Sequence, residues 1–179
     1  MKTYVALLRG INVGGNNRVE MAKLKKCCEA ASLSDVRTYI NSGNVVFKSK
    51  ESDQEKLAST IERAIKKEFG LSIPVVIRDY SNIKKLASKT PSDWTNDTEQ
   101  KTDVLFLWEE FASKQTLNLI KTNPAVDTLV YIDGAIVWHI DKKDYTKSKM
   151  KDFIGTSVYK GMTARNVNTL RKLLVLMAE

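Results

Sequence analysis

The chain has 179 residues, of which 42% are hydrophobic and 28% are charged. These proportions are typical of a globular protein and argue against an intrinsically disordered chain, and the length suits one domain or two small ones. Lysine and arginine number 29 and aspartate and glutamate number 21, so the net charge is +8, which favours anionic partners such as nucleic acid, nucleotides or phosphorylated metabolites.

Four strands are predicted in the first half, at residues 3–8, 35–40, 45–47 and 73–77. A loop rich in Gly and Asn follows the first strand, and apolar residues then recur at helical spacing from Met21. Asn41-Ser42-Gly43-Asn44 is a hairpin turn signal between the second and third strands. The second helix opens on a capping-box pattern, Ser52-Asp53-Gln54-Glu55, and ends at Gly70.

The second half is predicted to contain strands at residues 104–108, 129–132 and 135–140, and helices at residues 113–121, 147–154 and 163–177. Its order is β-α-β-β-α-α, whereas the first half is β-α-β-β-α-β, the ferredoxin-like order. The predicted fold class is therefore α+β, with two ferredoxin-like (α/β plait) halves, antiparallel sheets and C-terminal helices that end the second half. The halves span residues 1–80 and 102–179, joined by a connector at residues 81–101 that includes a short helix, and we expect them to pack as one compact unit.

The N-terminal segment, the apolar runs and the cysteines together predict the compartment. The apolar N-terminal segment meets Arg9 too early for a signal peptide, and no apolar run approaches the roughly 18–20 residues that span a bilayer. Cys27 and Cys28 are adjacent, so an unstrained disulfide between them is disfavoured, and at least one of them is expected to pack as a small hydrophobic residue. With one histidine they do not form a zinc site. We expect a cytoplasmic protein with no metal, no cofactor and no membrane association, whose oligomeric state stays open.

Two polar segments of the first half are expected to converge at one end of its sheet, because the first strand and the second–third hairpin both end there. Glycine lets the backbone approach a ligand, and the loop leads into a helix N-terminus, which favours an anion. The candidate ligand-binding residues are Arg9, Gly10, Asn12, Gly14, Gly15, Asn16, Asn17, Arg18, Thr38, Asn41, Ser42, Gly43 and Asn44. The alternative is that Asn and Gly only shape two turns, with Asn side chains bonded to the backbone.

A second group of candidate residues lies near the C-terminus. Arg165, Asn166 and Thr169 fall within one turn of the predicted last helix, for which Thr163 is the expected N-cap. They could complete the first pocket or brace it by hydrogen bonds. Lysines are dense in this part of the chain, and they could follow a phosphate backbone or form a solvated face. They are Lys142, Lys143, Lys147, Lys149, Lys151, Lys160 and Lys172.

Few residues in the sequence could support acid–base catalysis or metal binding. His139 lies in an apolar strand beside Trp138 and is expected to be a packed strand residue, which argues against a His-dependent triad. The segment between Arg9 and Arg18 contains no carboxylate, so metal ligands and paired carboxylates are missing there. Ser42 is a conceivable nucleophile, but no base accompanies it. The strand aromatics lack the signature of RNA-recognition domains.

Three segments of the chain together resemble one bacterial family, domain of unknown function 1697. They read YVALLRGINVGGNN at residues 4–17, VRTYINSGNVVF at residues 36–47 and TARNVNT at residues 163–169. The resemblance covers essentially the whole chain. It implies a cytoplasmic protein of single-domain size with an α/β plait, and it brings no activity.

Three functions are compatible with these residues. The first is binding of a phosphate-bearing partner, with nucleic acid ahead of a free nucleotide or other phosphorylated small molecule. The second is an enzyme that acts on a small anionic metabolite by positioning and electrostatic stabilisation, without His or metal chemistry. The third is a protein interaction module, in which Arg9 and Arg165 would be buried and bonded to backbone carbonyls.

Overall fold

The structure is a computed structural model that describes all 179 residues. The chain divides into two compact units: the first comprises Met1–Ser81 and Leu173–Glu179, and the second comprises Asn82–Lys172. No helix combines the length and the apolar character that crossing a bilayer requires.

The first unit has the ferredoxin-like order of elements. They are β1 (Lys2–Leu8), α1 (Met21–Ala30), β2 (Ser34–Tyr39), β3 (Asn44–Ser49), α2 (Gln54–Phe69) and β4 (Val75–Asp79). The sheet order is β2-β3-β1-β4, and every neighbouring pair is antiparallel. Leu24 and Cys28 of α1 and Leu57 and Ile61 of α2 form one core with side chains of the sheet such as Phe47. Cys28 therefore packs as a small hydrophobic residue, as predicted, and burial raises the pKa of its thiol to about 12.

Helix α2 begins and ends close to the predicted positions, but its N-cap is not the first residue of the predicted capping box. The Asp53 carboxylate accepts hydrogen bonds from the backbone N–H groups of Glu55 and Lys56, at 3.0 and 3.1 Å, so Asp53 and not Ser52 is the N-cap. At the other end, Gly70 has a φ of +70°, the left-handed conformation that stops a helix.

The second unit repeats the strand arrangement of the first sheet, with more irregular connections. Its elements are α3 (Tyr80–Lys89, which begins in the first unit), β5 (Gln100–Leu107), β6 (Thr128–Ile132), β7 (Ala135–Asp141), α4 (Met150–Phe153), α5 (Ser157–Lys160), β8 (Met162–Asn166) and α6 (Val167–Ala178, which ends in the first unit). The sheet order is β6-β7-β5-β8, again antiparallel throughout. The α+β fold class with two ferredoxin-like halves is confirmed.

Three predictions for the second half were wrong in detail. A strand, β8, occupies residues 162–166, where the last helix was expected to begin, and the helix starts at Val167. The helix expected at residues 113–121 is a short 3₁₀ helix, Lys114–Leu119. The helix expected at residues 147–154 is limited to Met150–Phe153 and follows a 3₁₀ helix, Lys142–Lys147.

A buried carboxylate, Asp127, holds the turn that precedes β6. Its Oδ1 accepts hydrogen bonds from Trp138 Nε1 at 3.1 Å and Ser148 Oγ at 2.5 Å. Its Oδ2 accepts from the backbone N–H groups of Asn123 and Lys149, at 2.8 and 3.1 Å. Burial by itself would raise the pKa of this carboxyl group, but the four hydrogen bonds outweigh it and lower the pKa below the ordinary value. Asp127 therefore joins the β6 turn to β7 and to the segment before α4.

Candidate functional site

The loop between β1 and α1 is a small hairpin with a tight turn at its tip. Val13 and Asn16 form a bridge, and the Asn16 N–H donates to the Val13 carbonyl at 3.0 Å. Gly14 and Gly15 between them have φ angles of +59° and +78°. Two successive positive φ angles are those of a type I′ turn, which explains the Gly-Gly pair.

This loop meets the β2–β3 turn, as predicted. Asn12 Nδ2 donates to the Asn41 carbonyl at 2.9 Å and also to the Val19 carbonyl at 2.9 Å, while Asn12 Oδ1 accepts from the Val19 N–H at 2.8 Å. The Leu8 N–H donates to the Gly43 carbonyl at 2.9 Å. The predicted convergence of the two polar segments is thereby confirmed, and the Asn12 amide supplies one of the bonds that join them.

Two other predicted asparagines also serve the backbone. Asn17 Nδ2 donates to the Gly10 carbonyl at 2.9 Å. Asn44 is fully buried, and its Nδ2 donates to the Tyr39 carbonyl at 2.9 Å and to Ser42 Oγ at 3.1 Å. Both amides bond to backbone carbonyls and so shape the turns, as the alternative interpretation of these asparagines expected.

A cleft of about 730 Å³ opens beside the junction of loop and turn. It is lined by residues of the loop, of the start of α1, of the β2–β3 turn and of the end of α2, namely Asn12, Gly15, Arg18, Val19, Glu20, Met21, Lys23, Asn41 and Phe69. Sequence reasoning found Asn12, Gly15, Arg18 and Asn41, and it missed the other five lining residues, among them Lys23 and Phe69. Position could have indicated both, since Lys23 lies in the first turn of α1 and Phe69 directly precedes Gly70.

The cleft carries two cations that the protein leaves unpaired. Arg18 and Lys23 are exposed, and neither side chain makes a hydrogen bond or an ion pair with the rest of the chain. One carboxylate, Glu20, also lines the cleft and is exposed. Glu20 is the N-cap of α1 and makes no side-chain capping bond, so the N–H groups of the first helical turn lie at the cleft without a side-chain acceptor from it. The local charge favours an anion.

The remaining predicted residues of the first unit lie outside the cleft lining. Arg9 is partly buried at the end of β1, and its backbone N–H donates to the Pro74 carbonyl at 3.0 Å. Asn16 is exposed at the tip of the hairpin, and Thr38 is partly buried on β2. Their part in ligand binding stays a prediction.

Arg165 lies on β8 in the second unit and is only 7% exposed. Its Nη1 donates to the Ala164 carbonyl at 2.8 Å and to Thr163 Oγ1 at 3.0 Å. Burial lowers the pKa of its guanidinium to about 10. Burial and bonding to a carbonyl are what the interaction-module hypothesis expected of this arginine.

Asn166 and Thr169 close the start of α6. Asn166 Oδ1 accepts from the Thr169 N–H at 2.9 Å and from Thr169 Oγ1 at 3.2 Å, which is an N-cap interaction. The prediction that Thr163 caps this helix was therefore wrong, because Thr163 lies within β8 and is buried.

Replacing Arg165 with Ala is expected to lower the free energy of unfolding by about 2 kcal/mol, because the Ala164 carbonyl and the buried Thr163 hydroxyl lose their donor and a cavity forms. Urea denaturation measures this change. Lys172→Ala is the matched control, since Lys172 is exposed on α6, and it should shift the free energy by less than about 0.5 kcal/mol. An unchanged midpoint for Arg165→Ala would contradict the structural role.

Three of the seven lysines in the lysine-rich part of the chain pair with nearby acids. Lys147 pairs with Asp144 at 2.7 Å, and Lys149 pairs with Asp152 at 3.4 Å. Lys143 lies 3.7 Å from the carboxylate of Asp141. These exposed pairs lower the local excess of positive charge, so the segment is a weaker anion surface than its sequence indicates.

His139 is a packed strand residue, as predicted. Its ring stacks on Trp94 with the centroids 4.5 Å apart, and its Nδ1 lies 2.9 Å from the Thr102 hydroxyl. Burial lowers the pKa of the imidazole, although Asp141 and Asp93 act in the opposite sense. No group of three or more His, Cys, Asp or Glu side chains is arranged to hold a metal ion.

Comparison with known proteins identifies a family and a solved structure with a similar fold. The family model described as "Protein of unknown function (DUF1697)" matches residues 1–138. The solved structure of the conserved bacterial protein SP0830 from Streptococcus pneumoniae is similar over 98% of both chains, with a TM-score of 0.82 and 24% sequence identity. No curated protein matches the chain significantly. At this identity the solved structure supports the fold and no more.

Proposed function

The chain belongs to the DUF1697 family, whose description names no activity, and we propose from its cleft that it is a cytoplasmic protein that binds a phosphate-bearing ligand. One observation carries the proposal: two exposed, unpaired cations, Arg18 and Lys23, line the same cleft. Two such cations in one concave site favour an anionic ligand, which would supply their counter-charge. Nucleic acid is the first candidate, because the net charge of the chain is +8.

The roles of the cleft residues follow from their chemistry. The Arg18 guanidinium would hold two phosphate oxygens at once, and Lys23 would act as a point charge. Asn41 has an exposed amide that would orient the ligand, and the N–H groups of the Gly14–Gly15 turn and of the first turn of α1 would complete the anion site. Asn12, Asn17 and Asn44 would keep the backbone of the loop and of the β2–β3 turn in place. Arg9 stays a secondary candidate for phosphate, outside the cleft.

A free phosphorylated metabolite is the second candidate. About 730 Å³ lies within the range of small-molecule sites, which is roughly 300–1,000 Å³. An enzyme here would depend on positioning and on stabilisation of negative charge by Arg18 and Lys23. Competition by a mononucleotide against a labelled single-stranded oligonucleotide separates the two candidates, because a small-molecule site would release the oligonucleotide at low nucleotide concentration.

Replacing Arg18 with Ala is expected to weaken binding of a labelled single-stranded RNA or DNA about tenfold, with a smaller loss for Lys23→Ala, since a charge-assisted hydrogen bond contributes about 1.5–3 kcal/mol. Fluorescence anisotropy at several salt concentrations measures the affinity. Each variant should also reduce by about one the slope of log affinity against log salt.

Lys26→Ala is the matched control for these variants. Lys26 is exposed on the same helix, makes no ion pair and does not line the cleft. It removes the same charge as Lys23→Ala, so a purely non-specific attraction would respond equally to both. Equal losses for Lys26→Ala and Lys23→Ala, or unchanged affinity for Arg18→Ala, would overturn the cleft as the binding site.

A further inference from the structure

Ile40 has a backbone conformation that its side chain disfavours. It lies in the β2–β3 turn with a φ of +50°. β-Branched residues rarely adopt the left-handed region, where Gly, Asn and Asp are the usual residues. Its side chain is nevertheless 46% exposed, so burial of the apolar side chain offsets little of the strain. Stability alone would favour Asn or Gly at this position.

Two asparagine amides hold the backbone on either side of Ile40. Asn44 Nδ2 donates to the carbonyl of Tyr39, the residue before it, at 2.9 Å. Asn12 Nδ2 donates to the carbonyl of Asn41, the residue after it, also at 2.9 Å. Strained residues persist where the surroundings over-determine them, and such positions cluster at functional sites. The asparagines of the two polar segments thus fix an exposed isoleucine in place.

A second exposed apolar side chain adjoins the same junction. Val13 is 68% exposed and directly precedes the Gly14–Gly15 turn. It is the neighbour of Asn12, as Ile40 is the neighbour of Asn41, and Asn12 and Asn41 both line the cleft. The two exposed apolar residues are therefore the chain neighbours of two bonded asparagines that line a cleft with two cations. A ligand that matches both properties has an anionic part and an apolar, flat or aliphatic part.

We propose that Ile40 and Val13 form the apolar contact for the base of a nucleotide unit whose phosphate lies beside Arg18 and Lys23. This inference rests on the proposed phosphate-binding function and names its ligand class. Charge complementarity places the phosphate at the cations, and the neighbouring exposed apolar side chains then contact the face of the base. The nucleotide unit belongs either to a single-stranded nucleic acid or to a free nucleotide, which share this chemistry.

The test compares probes with and without bases. They are a labelled single-stranded oligonucleotide, an abasic oligomer of the same length, a mononucleotide and inorganic pyrophosphate. Wild-type protein should bind the oligonucleotide about fivefold to tenfold more tightly than the abasic oligomer, the gain expected for partial burial of two aliphatic side chains. Ile40→Asn and Val13→Ser should each reduce that ratio and leave the affinity for pyrophosphate unchanged.

Stability gives an independent readout. Ile40→Asn is expected to raise the urea midpoint, because Asn tolerates the left-handed conformation, while it weakens base-dependent binding. Ser32→Gly is the matched control: Ser32 has a φ of +66°, is exposed and lies outside the cleft. It should also raise the midpoint but leave every affinity unchanged. A lower midpoint for Ile40→Asn would overturn the argument from strain.

The outcomes separate the two proposals. If wild-type protein binds pyrophosphate and the abasic oligomer as tightly as the probes with bases, the phosphate site stands and the base contact is overturned. The base contact is also overturned if Ile40→Asn keeps the full preference for the oligonucleotide. If wild-type protein binds none of the four probes, the phosphate site is overturned and the base contact with it. If wild-type protein prefers the oligonucleotide over the abasic oligomer and the mononucleotide over pyrophosphate, and Ile40→Asn removes both preferences, the result supports a site for a single nucleotide unit.

Discussion

Replacing Asp127 with Ala is expected to lower the free energy of unfolding by about 3–5 kcal/mol, because the Trp138 indole, the Ser148 hydroxyl and two backbone N–H groups all lose their acceptor. Urea denaturation at neutral pH measures the loss. Asp152→Ala is the control: its side chain is 54% exposed and pairs only with Lys149, so it should change the free energy by less than about 1 kcal/mol.

The effect of Asp127 should depend on pH with a definite sign. Its pKa is lowered in the folded protein relative to the ordinary value of 3.8. The carboxylate therefore contributes its full stability above that value, and the contribution is lost as the pH falls through the lowered folded pKa. The difference between wild-type protein and Asp127→Ala should narrow in acid. A difference that stays constant from neutral pH to below pH 3.8 would contradict this account of the hydrogen bonds.

Replacing Gly43 with Ala is expected to destabilise the first unit by about 2–4 kcal/mol. Gly43 has a φ of +80°, and an added Cβ would lie 2.6 Å from Ile11 Cδ1 and 2.8 Å from Leu8 Cβ. The Ile11 methyl can move, but Leu8 Cβ is fixed to a central strand, so the backbone must shift. Because Gly43 also accepts the Leu8 N–H, the turn and the loop should separate, and probe binding at the cleft should weaken as well.

Gly70→Ala separates the two causes of this loss. Gly70 has a φ of +70°, but nothing lies within 4 Å of an added Cβ. It should therefore show the backbone penalty alone, about 1 kcal/mol. Equal unfolding free energies for Gly43→Ala and Gly70→Ala would mean that the close approach of Leu8 and Ile11 costs nothing, contrary to the packing described above.

The first unit was predictable because its signals are local. Hydrophobic spacing, the Asn41-Ser42-Gly43-Asn44 turn and Gly70 each act within a few residues, and the ferredoxin-like order then brings the loop to the turn. The details of the site were less predictable. Whether an Asn amide faces a ligand or a backbone carbonyl depends on contacts between residues far apart in the chain, such as Asn12 with Asn41.

The second unit was harder to predict, because its structure also depends on contacts between residues far apart in the chain. Residues 162–166 contain one β-branched residue, Thr163, and no alternating pattern, so nothing local indicates β8. The strand forms because it pairs with β5, about sixty residues earlier in the chain, with Arg165 opposite Val104. Thr163 looked like an N-cap by residue type, whereas Asn166, three residues later, has the position to do so.

Residues 173–179 belong to the first unit although they follow the second unit in the chain. Leu173 and Met177 are buried, and Glu179 pairs with Arg37 at 2.7 Å. During translation, residues 1–81 leave the ribosome long before this segment exists. The nascent first unit must therefore persist without residues 173–179 while the second unit is made. During this period chaperones and proteases of the cell meet the incomplete unit.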